Sequence, residues 1–201
     1  MTSIICIGDS ITGGGKTFTC YRQLLVPAIH KMGLETRFTG PNEDSTSKHA
    51  GYGGRNTAYI RSHIQEIYTT HQADIVLLHS GHNSFNKDIP VPGIINDTEA
   101  IIKTIYGINP QVIILLAQVI PAGKLPKYGY IQELNLELAK LHKRLDSEKY
   151  SIQLINHEEG FNWTVDTIED KVHPNPTGAK KMADKWMQAL KPILEKKIAE
   201  L

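Results

Sequence analysis

The sequence is poor in cysteine, in excess charge and in long apolar runs, and each shortage excludes a class of protein. Its two cysteines, Cys6 and Cys20, are too few for a disulfide framework and do not form a CxxC pair. Its 22 Lys and Arg against 21 Asp and Glu leave no charge excess that would favour nucleic acid as a partner. Its apolar runs, such as residues 112–117, are far shorter than the ~20 residues that cross a bilayer, so no membrane partner is expected.

The N-terminus and the absence of linkers indicate one domain without a targeting segment. No basic residues precede the first apolar run, which ends in Gly8-Asp9 and not at a cleavage site, so a cytoplasmic location is expected. There is no internal repeat or low-complexity tract, and we predict a single domain over residues 1–201. A chain of this length buries about 70% of its unfolded surface, so it needs no metal to fold. The sequence indicates no oligomeric state.

Short β-branched runs alternate with longer amphipathic segments along the whole chain. This alternation is typical of a parallel sheet that is covered by helices on both faces. The predicted strands are residues 3–7, 34–39, 74–79, 111–119 and 151–156. The predicted helices are residues 21–32, 57–70, 94–105, 131–147 and 177–199. The sequence therefore predicts an α/β fold with a five-stranded parallel sheet.

Three polar segments follow predicted strands, where open parallel sheets place their ligand sites. They are Gly8-Asp9-Ser10 after the first strand, Ser80-Gly81-His82-Asn83 after the third, and Asp170-Lys171-Val172-His173-Pro174 beyond the fifth. A serine hydroxyl is a weak nucleophile until a base accepts its proton. Asp170 can hold one nitrogen of His173 and leave the other to face Ser10, which is the logic of a Ser-His-Asp triad. Taken singly, Ser10 also suits a helix N-cap, and His173 suits a surface loop.

The Asn83 amide and a glycine-rich segment are candidate donors to an oxyanion. Residues 49–56, which read His-Ala-Gly-Tyr-Gly-Gly-Arg-Asn, lie between the second strand and a helix. Glycine lets backbone N–H groups approach a ligand closely. We therefore expect an oxyanion hole formed by the N–H groups of Ser10 and Gly54 and the side chain of Asn83. An Asx turn at Asn83 and a plain flexible loop at Gly54 are the alternatives.

In order and spacing, four motifs resemble the sequence blocks of the SGNH (GDSL-like) hydrolase superfamily. The motifs are Gly8-Asp9-Ser10, the segment from Gly51 to Gly54, Gly81-His82-Asn83, and Asp170-Lys171-Val172-His173-Pro174. The resemblance spans nearly the whole chain and implies a flavodoxin-like three-layer α/β/α sandwich with five parallel strands and no cofactor. It also implies Ser10 as nucleophile, His173 as base, Asp170 as its orienting acid, and Gly54 with Asn83 in the oxyanion hole.

In finer detail, the sequence is similar to those of carbohydrate esterase family three, the acetylxylan-esterase group. The shared features are Tyr21-Arg22, Phe38-Thr39-Gly40, the segment from His49 to Gly54, His173-Pro174-Asn175-Pro176-Thr177-Gly178, and Met182-Ala183. Two positions depart from that pattern, because Arg55 replaces the usual aromatic residue and Ser84 replaces the usual Asp. The resemblance implies a serine esterase that cleaves short acetyl esters of a small carbohydrate, with no metal.

Substrate contacts are expected from Asp9, Tyr52, Arg55 and Phe85. The missing secretion signal fits poorly with an enzyme of extracellular xylan, so acetyl ester cleavage is better supported than xylan as the substrate. A lipid or thioester acyl hydrolase would use the same triad.

Three more distant interpretations also compete. Residues 10–17, Ser-Ile-Thr-Gly-Gly-Gly-Lys-Thr, nearly match a nucleotide-binding P-loop, but Ser10 replaces its first glycine. A metal site could combine His79 and His82 with Asp74 or His49, although no HExxH or HxH motif is present. A non-catalytic carbohydrate-binding protein could keep the fold, but the intact Ser, Asn, Asp and His set argues against it.

Overall fold

Strands and helices alternate along the chain. The computed structural model describes residues 1–85, 88–148 and 150–199. Its strands are β1 (Thr2–Gly8), β2 (Thr36–Thr39), β3 (Asn42–Glu43), β4 (Lys48–Gly51), β5 (Ile75–His79), β6 (Ile113–Gln118) and β7 (Ile152–Asn156). Its helices are α1 (Ser10–Gly13), α2 (Arg22–Lys31), α3 (Thr57–Thr70), α4 (Val91–Ile108), α5 (Ile131–Ser147), α6 (Trp163–Asp166) and α7 (Pro176–Ala199).

One sheet, with the strand order β3-β4-β1-β5-β6-β7, forms the centre of the molecule. β2 pairs in parallel with the first half of β1, and β4 pairs in parallel with the end of β1. β5, β6 and β7 extend the sheet in parallel on the other side of β1. The five predicted strands therefore lie in the order β2-β1-β5-β6-β7, which confirms the flavodoxin-like prediction.

Two further strands correct the predicted strand count. β3 and β4 form an antiparallel pair in which Asn42 faces His49, within a stretch that the sequence predicts as loop. These strands span only two and four residues, which is too short for a hydrophobic pattern to reveal them in the sequence. A Cβ atom on Gly51 would lie 2.3 Å from the Gly13 nitrogen, so this glycine allows α1 to approach β4 closely.

Helices cover both faces of the sheet and bury a core on each face. On one face, α3, α4 and α5 pack over strand residues such as Ile5 and Ile7. On the other face, α2 and α7 pack over Ile4 and Cys6, with Trp186 fully buried. The alternation of strand residues between the two cores confirms the three-layer α/β/α architecture. Within the described ranges, no helix combines the length and the apolar character that crossing a membrane requires.

Candidate active site

Ser10 begins α1, directly after the end of β1. The preceding residue, Asp9, caps this helix, because its Oδ1 atom accepts a hydrogen bond from the Ile11 N–H at 2.9 Å. Gly8 permits the sharp turn, since a Cβ atom there would lie 2.2 Å from the His79 carbonyl oxygen of β5. The close pairing of β1 with β5 therefore requires glycine just before the serine turn.

His173 and Asp170 lie in the loop between α6 and α7, and a dense set of hydrogen bonds holds them together. Asp170 Oδ1 accepts from the backbone N–H groups of Val172 and His173, both at 2.9 Å. Asp170 Oδ2 lies 2.5 Å from His173 Nδ1. Burial raises the pKa of Asp170, but the hydrogen bonds from His173 and Val172 outweigh it and hold this pKa below its ordinary value. Asp170 is therefore ionised near neutral pH.

The structure brings Ser10 against this pair, with Ser10 Oγ 2.8 Å from His173 Nε2. Because the Asp170 carboxylate can only accept, His173 donates from Nδ1, and its Nε2 atom is free to accept the Ser10 hydroxyl proton. Three residues that are distant in the sequence thus form one hydrogen-bonded chain, Ser10 to His173 to Asp170. This geometry can transfer a proton away from the serine hydroxyl.

The glycine loop after β4 lies beside Ser10. A Cβ atom on Gly53 would be 4.0 Å from the Ser10 Cβ atom, and the Tyr52 N–H donates to the Gly8 carbonyl at 2.9 Å. Gly54 has a φ angle of +73°, in the left-handed region that glycine adopts without strain. Asn83 is joined to the same loop, because its Nδ2 atom donates to the Arg55 carbonyl at 2.9 Å. The residues predicted as oxyanion donors therefore come from neighbouring loops.

The four residues predicted to contact substrate lie in different surroundings. Asp9 is 0% exposed, so its carboxylate is not available to a ligand in solvent, and we correct that expectation. Tyr52 is partly buried and packs edge-on against Tyr59 at 5.3 Å, and the exposed Arg55 lies over the same Tyr59 ring. Phe85 is 36% exposed.

Two aromatic residues near the site were not predicted from the sequence. The Phe18 ring stacks on the His173 imidazole, with 4.4 Å between ring centroids and 27° between planes. Tyr128 packs against both Phe85 and His82, at centroid distances of 5.5 and 6.0 Å. Neither lies in a motif, since Phe18 follows the glycine run after α1 and Tyr128 follows Pro126. Only the tertiary structure reveals these positions.

The geometry argues against the P-loop interpretation. A P-loop precedes the helix whose N-terminus binds phosphate. Here the short helix α1 starts at Ser10 and ends at Gly13, so the Gly-Lys-Thr stretch follows a helix, and α2 begins only at Arg22. The Ser10 hydroxyl is already hydrogen bonded to His173.

The proposed partners of His79 and His82 in a metal site are not near these histidines. Asp74 Oδ2 accepts from the Ser3 N–H and hydroxyl, both at 2.7 Å, at the opposite end of the strands. His49 Nδ1 accepts from the Gly51 N–H at 3.0 Å. Asp9 is the acid that lies with His79 and His82, and possible ligand atoms of these three buried residues lie within 4.8 Å of one another.

The sheet order and the hydrogen-bonded chain of Ser10, His173 and Asp170 at its carboxyl edge are the arrangement expected of a serine hydrolase on a flavodoxin-like sheet. The chain belongs to the GDSL-like lipase/acylhydrolase family, whose model matches residues 6–181. It is accordingly a carboxylic ester hydrolase of the SGNH superfamily.

Solved structures of the same fold include carbohydrate esterases. A carbohydrate esterase family 3 protein from Talaromyces cellulolyticus is 21% identical, with a TM-score of 0.86 over 98% of this chain and 99% of that one. The Clostridium thermocellum family 3 carbohydrate esterase is 24% identical, with a TM-score of 0.83 over 97% and 98%. An acetyl esterase solved with an acetate ion is 21% identical, with a TM-score of 0.84 over 98% and 99%. No curated protein sequence matches this chain.

Proposed function

We propose that the protein hydrolyses short-chain acetyl esters of a small O-acetylated carbohydrate, with Ser10 as nucleophile, His173 as base and Asp170 as the acid that orients His173. The observation that carries the proposal is the continuous hydrogen-bonded chain from Ser10 Oγ through His173 to Asp170. No metal or cofactor takes part in this mechanism.

The first half of the reaction forms an acyl-enzyme. The Ser10 hydroxyl proton passes to His173 Nε2 while Ser10 Oγ forms a bond to the ester carbonyl carbon. The N–H groups of Ser10 and Gly54 and the Asn83 amide donate to the oxyanion. As the tetrahedral intermediate collapses, the bond to the alcohol oxygen breaks, and that oxygen takes the proton from His173.

The second half returns the enzyme to its starting state. His173 accepts a proton from a water molecule, whose oxygen attacks the acyl carbon. The bond from Ser10 Oγ to the acyl carbon then breaks, Ser10 regains its proton from His173, and acetate leaves. Asp170 stays ionised throughout and stabilises the imidazolium in both halves.

Support for an acetylated carbohydrate comes from the structural relatives. Two of them are carbohydrate esterases of family 3, and a third is an acetyl esterase with bound acetate. A lipid or thioester substrate is the competing possibility within the same family. The acyl preference and the alcohol are therefore tested separately from the triad.

The test of the triad is hydrolysis of p-nitrophenyl acetate by the wild type and by Ser10→Ala. We expect the substitution to lower kcat by about 10³-fold or more, because the nucleophile is removed. The melting temperature should change little, since Ser10 is partly exposed and its hydroxyl bonds only His173 among the described residues. Unchanged activity in a folded Ser10→Ala variant would overturn the assignment.

The substrate test compares p-nitrophenyl esters of increasing chain length and acetate release from a panel of acetylated sugars. We expect acetyl esters to give the highest kcat/KM. A maximum at long acyl chains or at acyl thioesters would replace the carbohydrate substrate with a lipid or thioester and leave the triad intact.

A further inference from the structure

A buried polar cluster lies directly behind Ser10 and has no role in the proposed mechanism. It consists of Asp9, His79 and His82, which are 0%, 0% and 2% exposed. Asp9 Oδ2 and His82 Nδ1 are buried and find no hydrogen-bond partner among the described residues at normal bonding distance. An unsatisfied buried polar atom costs about 1–3 kcal/mol, so the arrangement of these two atoms needs an explanation.

The protonation of His82 follows from one of its contacts. His82 Nε2 lies 2.9 Å from the Ile120 carbonyl oxygen, which only accepts, so Nε2 carries a hydrogen and donates. The other ring nitrogen, Nδ1, faces Asp9 Oδ2 at 3.7 Å. The remaining Asp9 oxygen, Oδ1, already accepts from the Ile11 N–H. At 3.7 Å these two atoms are not hydrogen bonded, and with one additional proton a small approach of the two side chains would give both atoms a partner.

The surroundings of the pair decide on which residue that proton lies. Asp9 is near His79, His82, His173, Tyr128 and Tyr130, and none of these is a permanent cation. Burial raises the pKa of Asp9 more than His82 and the Ile11 N–H lower it. Burial likewise lowers the pKa of His82. Both effects favour a carboxylic acid beside a neutral imidazole over an ion pair.

The protonation state of Asp9 affects Ser10. The Asp9 side chain caps the helix that Ser10 begins, next to the Ser10 N–H that we assign to the oxyanion hole. An ionised cap would place a negative charge where the reaction develops an oxyanion, and like charges in a buried site repel strongly. A neutral acid provides the same cap without that repulsion.

We propose that Asp9 is a positioning residue, a neutral carboxylic acid that faces His82 Nδ1 through its Oδ2 atom and caps α1 without charge beside the oxyanion. This inference rests on the proposed function, because it concerns the Ser10 N–H. It also explains why Asp9 belongs to the serine turn although it is sealed from solvent.

The test is Asp9→Asn, because asparagine matches a neutral acid in shape and in hydrogen bonding. Its Oδ1 atom can accept from Ile11, and its Nδ2 atom can donate to His82. We expect Asp9→Asn to keep its melting temperature and to keep kcat for p-nitrophenyl acetate within about 3-fold of the wild type. Asp9→Ala, which removes the cap, should lower kcat by at least about 10-fold with little change in KM.

Asp166→Asn is the matched control for stability. Asp166 is equally buried, but its Oδ2 atom accepts from Lys181 Nζ and the Asn162 N–H, both at 2.7 Å, so it forms a salt bridge that asparagine cannot keep. This control should lose melting temperature while Asp9→Asn does not. A clear loss of melting temperature or a 10-fold loss of kcat in Asp9→Asn would show that Asp9 is ionised and would overturn the proposal.

A spectroscopic measurement separates this proposal from the proposed function. With 13C-labelled aspartate, the Asp9 carboxyl resonance, assigned by its loss in Asp9→Asn, should have the shift of a protonated acid between about pH 5 and pH 8. A carboxylate shift in this range contradicts the proposal, even if the esterase is fully active. If no ester is cleaved but the acid shift is observed, the proposed function fails and the protonation of Asp9 still holds.

Discussion

Phe18 and Asp170 hold His173 from two sides, and they do so by different physical means. Asp170 binds one ring nitrogen through a hydrogen bond and carries a full charge. Phe18 covers the ring face and offers the negative side of its own π system. In the proposed mechanism His173 becomes an imidazolium, which Asp170 would stabilise through an ion pair in the ring plane and Phe18 through a cation–π contact above it.

Replacing Phe18 with leucine should preserve the apolar cover of His173 and remove the aromatic face. A cation–π contact at a partly exposed site contributes about 0.5–2 kcal/mol, so kcat/KM should fall about 2- to 30-fold. Phe18→Tyr keeps the ring and is the control, and equal rates for the leucine and tyrosine variants would contradict this account.

Asp170→Asn should be far more damaging, although it barely changes the shape of the side chain. The asparagine oxygen can still accept from the Val172 and His173 N–H groups, so the loop should stay folded. Its NH₂ group, however, would face His173 Nδ1 and leave the hydrogen on Nε2, where it cannot accept the Ser10 proton. We expect kcat to fall about 10³- to 10⁴-fold with a nearly unchanged melting temperature. Activity within 10-fold of wild type would argue that Asp170 is not the orienting acid.

At the scale of secondary structure, the site depends on the close packing of α1 against β4. A side chain at Gly51 would collide with Gly13 N and Cα at 2.3 and 2.4 Å. Arg22 of α2 supports α1 from the other side, since it donates to the carbonyl oxygens of Thr12 and Gly13 at 2.6 and 3.0 Å. The position of Ser10 is therefore determined by backbone contacts from two neighbouring elements.

Gly51→Ala tests this packing. We expect a loss of about 1–3 kcal/mol in the free energy of unfolding, together with a fall in kcat, because α1 must move away from β4. Gly107→Ala in α4 is the matched control, since nothing lies within 4 Å of a Cβ atom there. That control should stabilise the protein by about 0.5–1 kcal/mol. Denaturant titration of both variants measures the difference, and equal effects would contradict the packing argument.

The elements that the sequence predicts well are those with local signals. The prediction for residues 57–70 matches α3, because Asn56 caps the helix and its apolar residues recur with helical spacing. α6, β3 and β4 span only two to four residues each and were not predicted. Such short segments are held by their neighbours, as the contact of Gly51 with Gly13 shows, and carry no periodicity of their own.

The residues of the candidate site likewise fall into those that the sequence reveals and those that it does not. Ser10, Asp170 and His173 are recognisable in the sequence because they lie in two short motifs, Gly8-Asp9-Ser10 and the segment from Asp170 to Pro174. Phe18 is an ordinary aromatic residue in the sequence, and its place over His173 follows from the path of the chain after α1. The sequence also did not predict the burial of Asp9, since an acidic residue in a polar turn is expected to contact solvent.

At the scale of the whole molecule, buried histidines link stability to pH. Burial lowers the pKa of His157 to about 3 and of His49 to about 4, and it holds the pKa of His79 well below its ordinary value. The folded protein keeps these rings neutral, whereas the unfolded chain binds protons below about pH 6.5. These histidines therefore cost the folded state nothing above that pH. As the pH falls towards 3, they progressively lower the free energy of unfolding.

His157→Phe tests this linkage. Neither ring nitrogen of His157 has a hydrogen-bond partner within the described residues, and the ring packs edge-on against Trp186 at 4.5 Å, so phenylalanine can replace it. Between about pH 7 and pH 4, we expect the melting temperature of the variant to fall less than that of the wild type. The reason is that the variant takes up as much as one proton fewer when it unfolds. Parallel curves for the two proteins would show that His157 does not contribute to acid lability.

Two strands, β2 and β4, share one edge of β1, and this has a consequence for how the protein can be altered. β2 completes one half of that edge and β4 the other, and β3 lies between them in the chain and pairs with β4, so the turn between β3 and β4 can change length while both pairings of β1 remain. That turn leads into β4, whose last residue, Gly51, directly precedes the glycine loop that lies beside Ser10. Insertions or exchanged segments in this turn would change the surroundings of the substrate. The sheet and the hydrogen-bonded chain of Ser10, His173 and Asp170 would stay as they are.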